Sequence, residues 1–217
     1  MASVYQLNYW QTLNPMQNQN NPLAAIPPVT RNVLIAMLVM FVFQQILGGS
    51  GGNFIYRYFP LYPINSDYFY PWQLVTYSLL HGNFMHLFFN GFAIWMFGSQ
   101  IEHYWGEKKY GLYLIVCIIG AALANALLSN APAIGISGAV YGLLVAYGMM
   151  WPNHTIYLVI PPIPMKAKYF VLIFAGIALF SSFNPGQDGI AHIAHLGGAL
   201  TGFLLIQYWR GKPPFKW

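Results

Sequence analysis

The sequence predicts an all-α membrane protein, a bundle of six transmembrane helices with both termini in the cytoplasm, and three observations carry that reading. Of 217 residues, 57% are apolar and only 6% charged, where a soluble domain has roughly a quarter charged. The charged residues leave five long intervals without any, at 32–56, 68–101, 110–165, 169–187 and 189–209, and a helical crossing needs about 20 apolar residues. The cations are also segregated. With six crossings drawn, Arg31, Lys108, Lys109, Lys166, Lys168, Arg210, Lys212 and Lys216 fall on one side and Arg57 alone on the other, which places both termini inside.

Each element follows from local chemistry. Residues 1–30, rich in Asn, Gln and Pro, have no cationic stretch leading into a short apolar core and so no visible cleavable signal; they read as a polar cytoplasmic tail. Residues 31–210 read as one six-helix domain and 211–217 as a short basic cytoplasmic tail. The first crossing is Val33 to Leu47. The glycines after it open an outer loop carrying Phe54, Tyr56, Tyr58, Phe59, Tyr62, Tyr68, Phe69, Tyr70 and Trp72, a density of aromatics suited to the headgroup layer.

The second and third crossings are Phe84 to Ile101 and Tyr110 to Leu128. Ser129-Asn130-Ala131-Pro132, followed by Gly135, supplies the turn that splits the longest charge-free interval. A short fourth crossing, Gly138 to Trp151, comes next, then Tyr169 to Phe183 and Ile190 to Tyr208. The outer loops are then about 49–80, 129–136 and 184–189. The net charge of +5 is accounted for by topology, so no nucleic-acid partner is expected. The lone Cys117 excludes a disulfide framework and a cysteine-cluster metal site.

Polar residues inside a membrane call for a function. His86 and Asn90 stand at i and i+4 near the outer end of the second crossing and share a face. Ser137 lies in Gly135-Ile136-Ser137-Gly138 at the outer start of the fourth, and His192 and His195 lie at the outer start of the sixth. Crossings two, four and six all run from outside to inside, so the three sets fall at similar depth, within roughly 10 Å of the helix starts. Gly138 with Gly142, and Gly198 with Gly202, form small-xxx-small seams that let the fourth and sixth helices approach closely. That approach brings Ser137 toward His195, and Tyr141 shares the Ser137 face and can pack on the imidazole.

A serine beside an imidazole is the minimum for nucleophilic catalysis. The carboxylates are Asp67, Glu102, Glu107 and Asp188, and none lies within a crossing, which points to a Ser-His dyad in place of a triad. The backbone N–H of Ser137 at a helix start, with His86 and Asn90, supplies donors for a developing oxyanion.

At these residues the chain resembles the rhomboid family of intramembrane serine proteases. The matching segments are His81-Gly82-Asn83-Phe84-Met85-His86 with Asn90, then Gly135-Ile136-Ser137-Gly138 with Tyr141, then Ala194-His195-Leu196-Gly197-Gly198 with Gly202. Glu102 followed by Gly106 also looks like the family's pattern. The resemblance implies a rhomboid-like bundle with Ser137 as nucleophile, His195 as base, and His86, Asn90 and the Ser137 N–H as the oxyanion hole. Gly135, Tyr141, Gly138, Gly198 and Gly202 take supporting places. His192 is a second candidate base, but His195 has the glycines at i+3 and i+7 that the motif places along the seam. Trp72-Gln73 departs from the Trp-Arg of many relatives, which bears on how the first outer loop is anchored.

The resemblance further implies transmembrane protein substrates cut near the outer leaflet, no cofactor and no metal. The fifth crossing, with Phe170, Phe174, Phe180 and Phe183, is expected to form a movable wall and 181–189 a flexible cap. A bacterial inner membrane is the expected location, and nothing in the sequence sets an oligomeric state. The main rival is a non-catalytic rhomboid-like protein that binds transmembrane clients. A metal or haem site built from His81, His86, His192 and His195, and a transporter, are weaker rivals, since the crossings hold no carboxylate and the sequence no inverted repeat.

Overall fold

The computed structural model describes residues 26–47, 52–157, 163–182 and 191–212. Helix α1 (Pro28–Leu47) starts five residues before the expected crossing. Pro28 suits a first turn, where its missing N–H costs nothing. The other orphan donors of that turn are met from a distance: the buried Glu102 carboxylate accepts the Val29 and Thr30 N–H groups at 2.8 Å and the Thr30 hydroxyl at 2.7 Å. A carboxylate at a helix N-terminus also meets the positive end of the dipole.

The segment after α1 holds two short helices, α2 (Gly52–Tyr58) and α3 (Gln73–Thr76), and a 3-10 turn at Tyr77–Leu79. The next rod is α4 (Phe84–Ala93), a π-helical turn at Ile94–Gly98, and α5 (Ser99–Trp105). The sequence pattern predicts a single regular helix from Phe84 to Ile101. The π turn ends at Gly98, where a Cβ would overlap the Tyr110 phenol, so the irregular turn coincides with a close approach between neighbouring helices. Gly106, at φ +79°, ends α5 and lets α6 (Glu107–Leu128) begin at once.

Helix α6 is the central pillar. Its Gly120 leaves room for Thr201, and its Ala121 and Ala124 fill the space left by Gly138 and Gly197. Among the described residues, α1 and α6, with mean hydropathy 1.6 and 2.3, are long and apolar enough to cross a membrane. Helix α7 (Ser137–Met150) and helix α8 (Ala167–Ser182) are shorter apolar helices, and α9 (His192–Trp209) closes the bundle.

The fold is not purely helical. β1 (Thr155–Tyr157) pairs antiparallel with β2 (Pro164–Lys166), Ile156 standing opposite Met165, and Leu61 bridges Ala133 through two backbone bonds. Thr155, Ile156 and Tyr157 are good strand formers, a signal masked by the surrounding apolar helices.

Large apolar side chains stand on the outside of the helices, among them Ile46 and Phe43 on α1, Phe89 on α4 and Leu127 on α6. Such extensive exposed apolar surface suits lipid, not water. Phe170 is buried at the start of α8, its ring 4.5 Å from Phe174 and 6.1 Å from Phe97, whereas Phe180 is exposed. Phe183 and most of the expected cap lie outside the described residues.

Candidate active site

The 77–86 segment is fixed from two sides. Asn83 caps α4 by accepting the His86 N–H at 2.8 Å, which sets His86 in the first turn and Asn90 one turn later on the same side. From α1, the buried Gln44 amide grips the backbone of His81, donating to its carbonyl at 3.1 Å and accepting its N–H at 3.0 Å. Burial, with the His86 ring beside it, pushes the His81 imidazole down to about 4, so it is neutral near pH 7.

The 129–136 turn lies across this segment. Gly135 donates its N–H to the Tyr77 carbonyl at 2.8 Å and has φ +104°, a conformation that L side chains avoid. Space makes the same demand. A Cβ there would stand 2.6 and 2.7 Å from the His86 Cε1 and Nε2, and 3.7 Å from the Asn90 Nδ2. Gly135 thus lies directly against the His86 ring with the Asn90 amide beside it, two residues before Ser137.

The Gly82 N–H donates to His86 Nδ1 at 3.4 Å. Accepting at Nδ1 favours the neutral tautomer with its proton on Nε2, so the nitrogen facing Gly135 is a donor. Asn90 is buried, and its Nδ2 has no acceptor among the described residues. A buried amide donor left without an acceptor is costly, and here it lies near Gly135, beside His86.

Ser137 opens α7 and His195 lies in the first turn of α9. The His195 Nε2 stands 2.7 Å from the Ser137 Oγ. The glycines explain the short helix-to-helix distance: a Cβ on Gly198 would overlap the Gly138 carbonyl, one on Gly142 would lie 3.2 Å from the Gly198 oxygen, and one on Gly202 would lie 3.1 Å from the Gly142 Cα. Tyr113 backs the crossing, its buried hydroxyl donating to the Gly142 carbonyl at 2.7 Å.

Tyr141 stacks on His195, with ring centroids 4.4 Å apart and planes 10° from parallel. His192 is also buried, and its ring meets His195 edge-on at 5.9 Å. It is the His195 ring nitrogen that meets the serine hydroxyl. The described carboxylates lie elsewhere: Glu102 is engaged at the start of α1, and Asp67 and Glu107 are exposed.

Sequence reasoning passed over Gln44 and Asn83. Gln44 stands in an otherwise apolar crossing, so the rule that singled out His86 applies to it equally. Asn83 three residues before a helical histidine is an ordinary N-cap signal.

Gln73 anchors the segment between α1 and α4 through its side-chain amide. This buried amide uses both ends: Oε1 accepts the Tyr62 and Tyr70 N–H groups at 3.3 and 3.2 Å, and Nε2 donates to the Tyr58 and Tyr68 carbonyls at 3.2 and 2.9 Å. The neighbouring Trp72 indole donates to the Tyr58 carbonyl at 3.0 Å.

Comparison with known proteins places this arrangement in context. Residues 69–211 match the model of the Rhomboid domain. The chain is 26% identical over 226 residues to the rhomboid protease GlpG of Photorhabdus laumondii, covering 98% of this chain and 74% of that relative. It is 28% identical over 189 residues to the GlpG of Yersinia pseudotuberculosis, covering 84% of this chain and 62% of the relative. It is 34% identical over 136 residues to the mitochondrial RHOMBOID-like protein 6 of Arabidopsis thaliana, covering 62% and 42%.

Proposed function

The chain belongs to the rhomboid family, and from that premise we propose that it is an intramembrane serine endopeptidase working through a Ser137–His195 dyad. Its substrates are transmembrane or membrane-anchored proteins, cut near the outer leaflet. The single observation that carries the reading is the 2.7 Å contact between Ser137 Oγ and His195 Nε2.

In the proposed reaction, Ser137 Oγ attacks the scissile carbonyl carbon while His195 Nε2 takes the hydroxyl proton. The carbonyl oxygen becomes an oxyanion, and three donors receive it: the Ser137 N–H at the start of α7, the His86 Nε2–H and the Asn90 amide. Loss of any one side-chain donor costs on the order of 3 kcal/mol of transition-state stabilisation. The tetrahedral species collapses, the C–N bond breaks, and His195 gives its proton to the leaving amine. Water then attacks the acyl-serine carbonyl, passing a proton to His195; the ester C–O bond breaks, His195 returns that proton to Ser137 Oγ, and the acid leaves.

No carboxylate is required to orient the base. Tyr141 stacking and the glycine crossing hold the ring, which avoids placing an unpaired charge inside the bilayer. A continuous substrate helix hides its peptide bonds, so Gly or Pro near the outer membrane face, which weakens a helix by about 1 to 3 kcal/mol, favours cleavage. Six crossings, with both termini and the cation-rich ends in the cytoplasm of a bacterium, complete the reading.

The test is cleavage of a purified single-span substrate in proteoliposomes. Wild-type protein is expected to release two fragments and Ser137→Ala none. Equal cleavage by the variant overturns the dyad, and absence of cleavage by wild type across a panel of such substrates favours the client-binding alternative.

A further inference from the structure

Four helix ends meet at the far end of α7 and α9 from the dyad. Helix α5 finishes at Trp105, α6 begins at Glu107, α7 finishes at Met150 and α9 finishes at Trp209. Between them lies a cavity of about 250 Å³ whose walls include Tyr104, Trp105, Trp151 and Trp209 and two cations, Lys109 and Arg210. One water occupies about 30 Å³, so the space suits a polyatomic group.

Among the described residues, the cations are held in place without being neutralised. The Lys109 ammonium sits 4.6 Å from the Trp209 ring centre and 5.5 Å from that of Trp105. Ring faces orient a cation and leave its N–H donors available. Arg210 spends one donor on the Met149 carbonyl at 3.2 Å, out of the five a guanidinium carries. Among the described residues, the partners of these two cations are ring faces and a backbone carbonyl. Three helix C-termini and one N-terminus, that of α6, end here, so the backbone on balance does not favour an anion and the two side chains are its main holders.

We propose that this cavity binds the phosphodiester headgroup of an anionic glycerophospholipid of the inner leaflet. Arg210 provides the fork that matches two phosphate oxygens and Lys109 a point charge, while the Trp rings cover the glycerol and the first methylenes. Aromatic walls favour a lipid over inorganic phosphate, which has nothing apolar to bury. The proposal rests on the membrane-spanning topology given above and not on Ser137, and a basic pocket between helix ends on the cytoplasmic side is the arrangement that recognises such headgroups.

The experiment uses the full chain in nanodiscs of phosphatidylcholine doped with phosphatidylglycerol of the same acyl length, then released into neutral detergent for native mass spectrometry. Wild type is expected to retain phosphatidylglycerol in preference to phosphatidylcholine. Lys109→Gln/Arg210→Gln should lower that retention about tenfold or more, with phosphatidylcholine unchanged and thermal stability retained. Lys108→Gln/Lys212→Gln removes the same charge outside the cavity and should retain the lipid like wild type, as should Ser137→Ala. Equal losses in the two double variants, or none in either, overturn the site. Displacement of the lipid by millimolar inorganic phosphate identifies a phosphate site and overturns the lipid assignment. Should the Gln double variant unfold, Lys109→Arg/Arg210→Lys keeps both charges and is expected to bind the lipid more weakly than wild type; undiminished binding contradicts the fork.

Discussion

Gln44 holds His81 by both of its backbone groups, with bonds of 3.1 and 3.0 Å made from a different helix. The link ties α1 to the segment that ends in His86. In Gln44→Leu the buried His81 N–H and carbonyl lose their partners, at about 1–3 kcal/mol for each unsatisfied group. The expected result is a lower unfolding temperature together with a drop in cleavage rate, since the His86 approach loosens. Unchanged melting and rate would show that the clamp is dispensable.

Gln73 clamps the segment between α1 and α4 in a similar way. Its amide accepts twice and donates twice, which an arginine cannot do because it has no acceptor. Gln73→Arg therefore leaves the Tyr62 and Tyr70 N–H groups without partners and is expected to be less stable than wild type by about 1–3 kcal/mol. Chemical denaturation in detergent checks this. Equal or greater stability of the arginine variant would mean that the loop rearranges around the cation.

The glycine crossing predicts a steep steric response. In Gly198→Ala the new methyl overlaps the Gly138 carbonyl, and in Gly202→Ala it overlaps the Tyr113 phenol. Overpacking of this kind costs about 1–3 kcal/mol. It should also part Ser137 from His195, because both stand near the N-terminal ends of the same two helices. Gly176→Ala is the control, since nothing lies within 4 Å of a Cβ there. Cleavage rate and melting temperature are expected to fall in the first two variants and to hold in the third.

Glu102, in α5, accepts three hydrogen bonds at the start of α1. Glu102→Gln keeps the shape but removes the charge and turns one acceptor into a donor facing donors. Bonds to a charged group are worth about 1.5–3 kcal/mol, so a clear loss of thermal stability is expected. A melting curve superimposable on wild type would contradict the role given to this carboxylate.

Much of this architecture is legible in the residues. Charge-free intervals locate the helices, and the glycine pairs at 138, 142, 198 and 202 foretell a close crossing because nothing larger fits where two backbones touch. Depth along alternate helices gathers His86, Asn90, Ser137 and His195, since rise per residue is fixed. What the pattern leaves out depends on contacts between distant segments. The start of α1 at Pro28 depends on Glu102, more than seventy residues away. The π turn at Ile94–Gly98 answers to Tyr110. The Gln73 network is invisible because its four partners are backbone groups, which carry no sequence signature.

The dyad itself is tested most directly by an activity-based fluorophosphonate, which reacts only with an activated serine. The account predicts labelling of wild-type protein at Ser137, loss of that label in Ser137→Ala and His195→Ala, and retention in His192→Ala. Strong labelling of His195→Ala alongside loss in His192→Ala would contradict it.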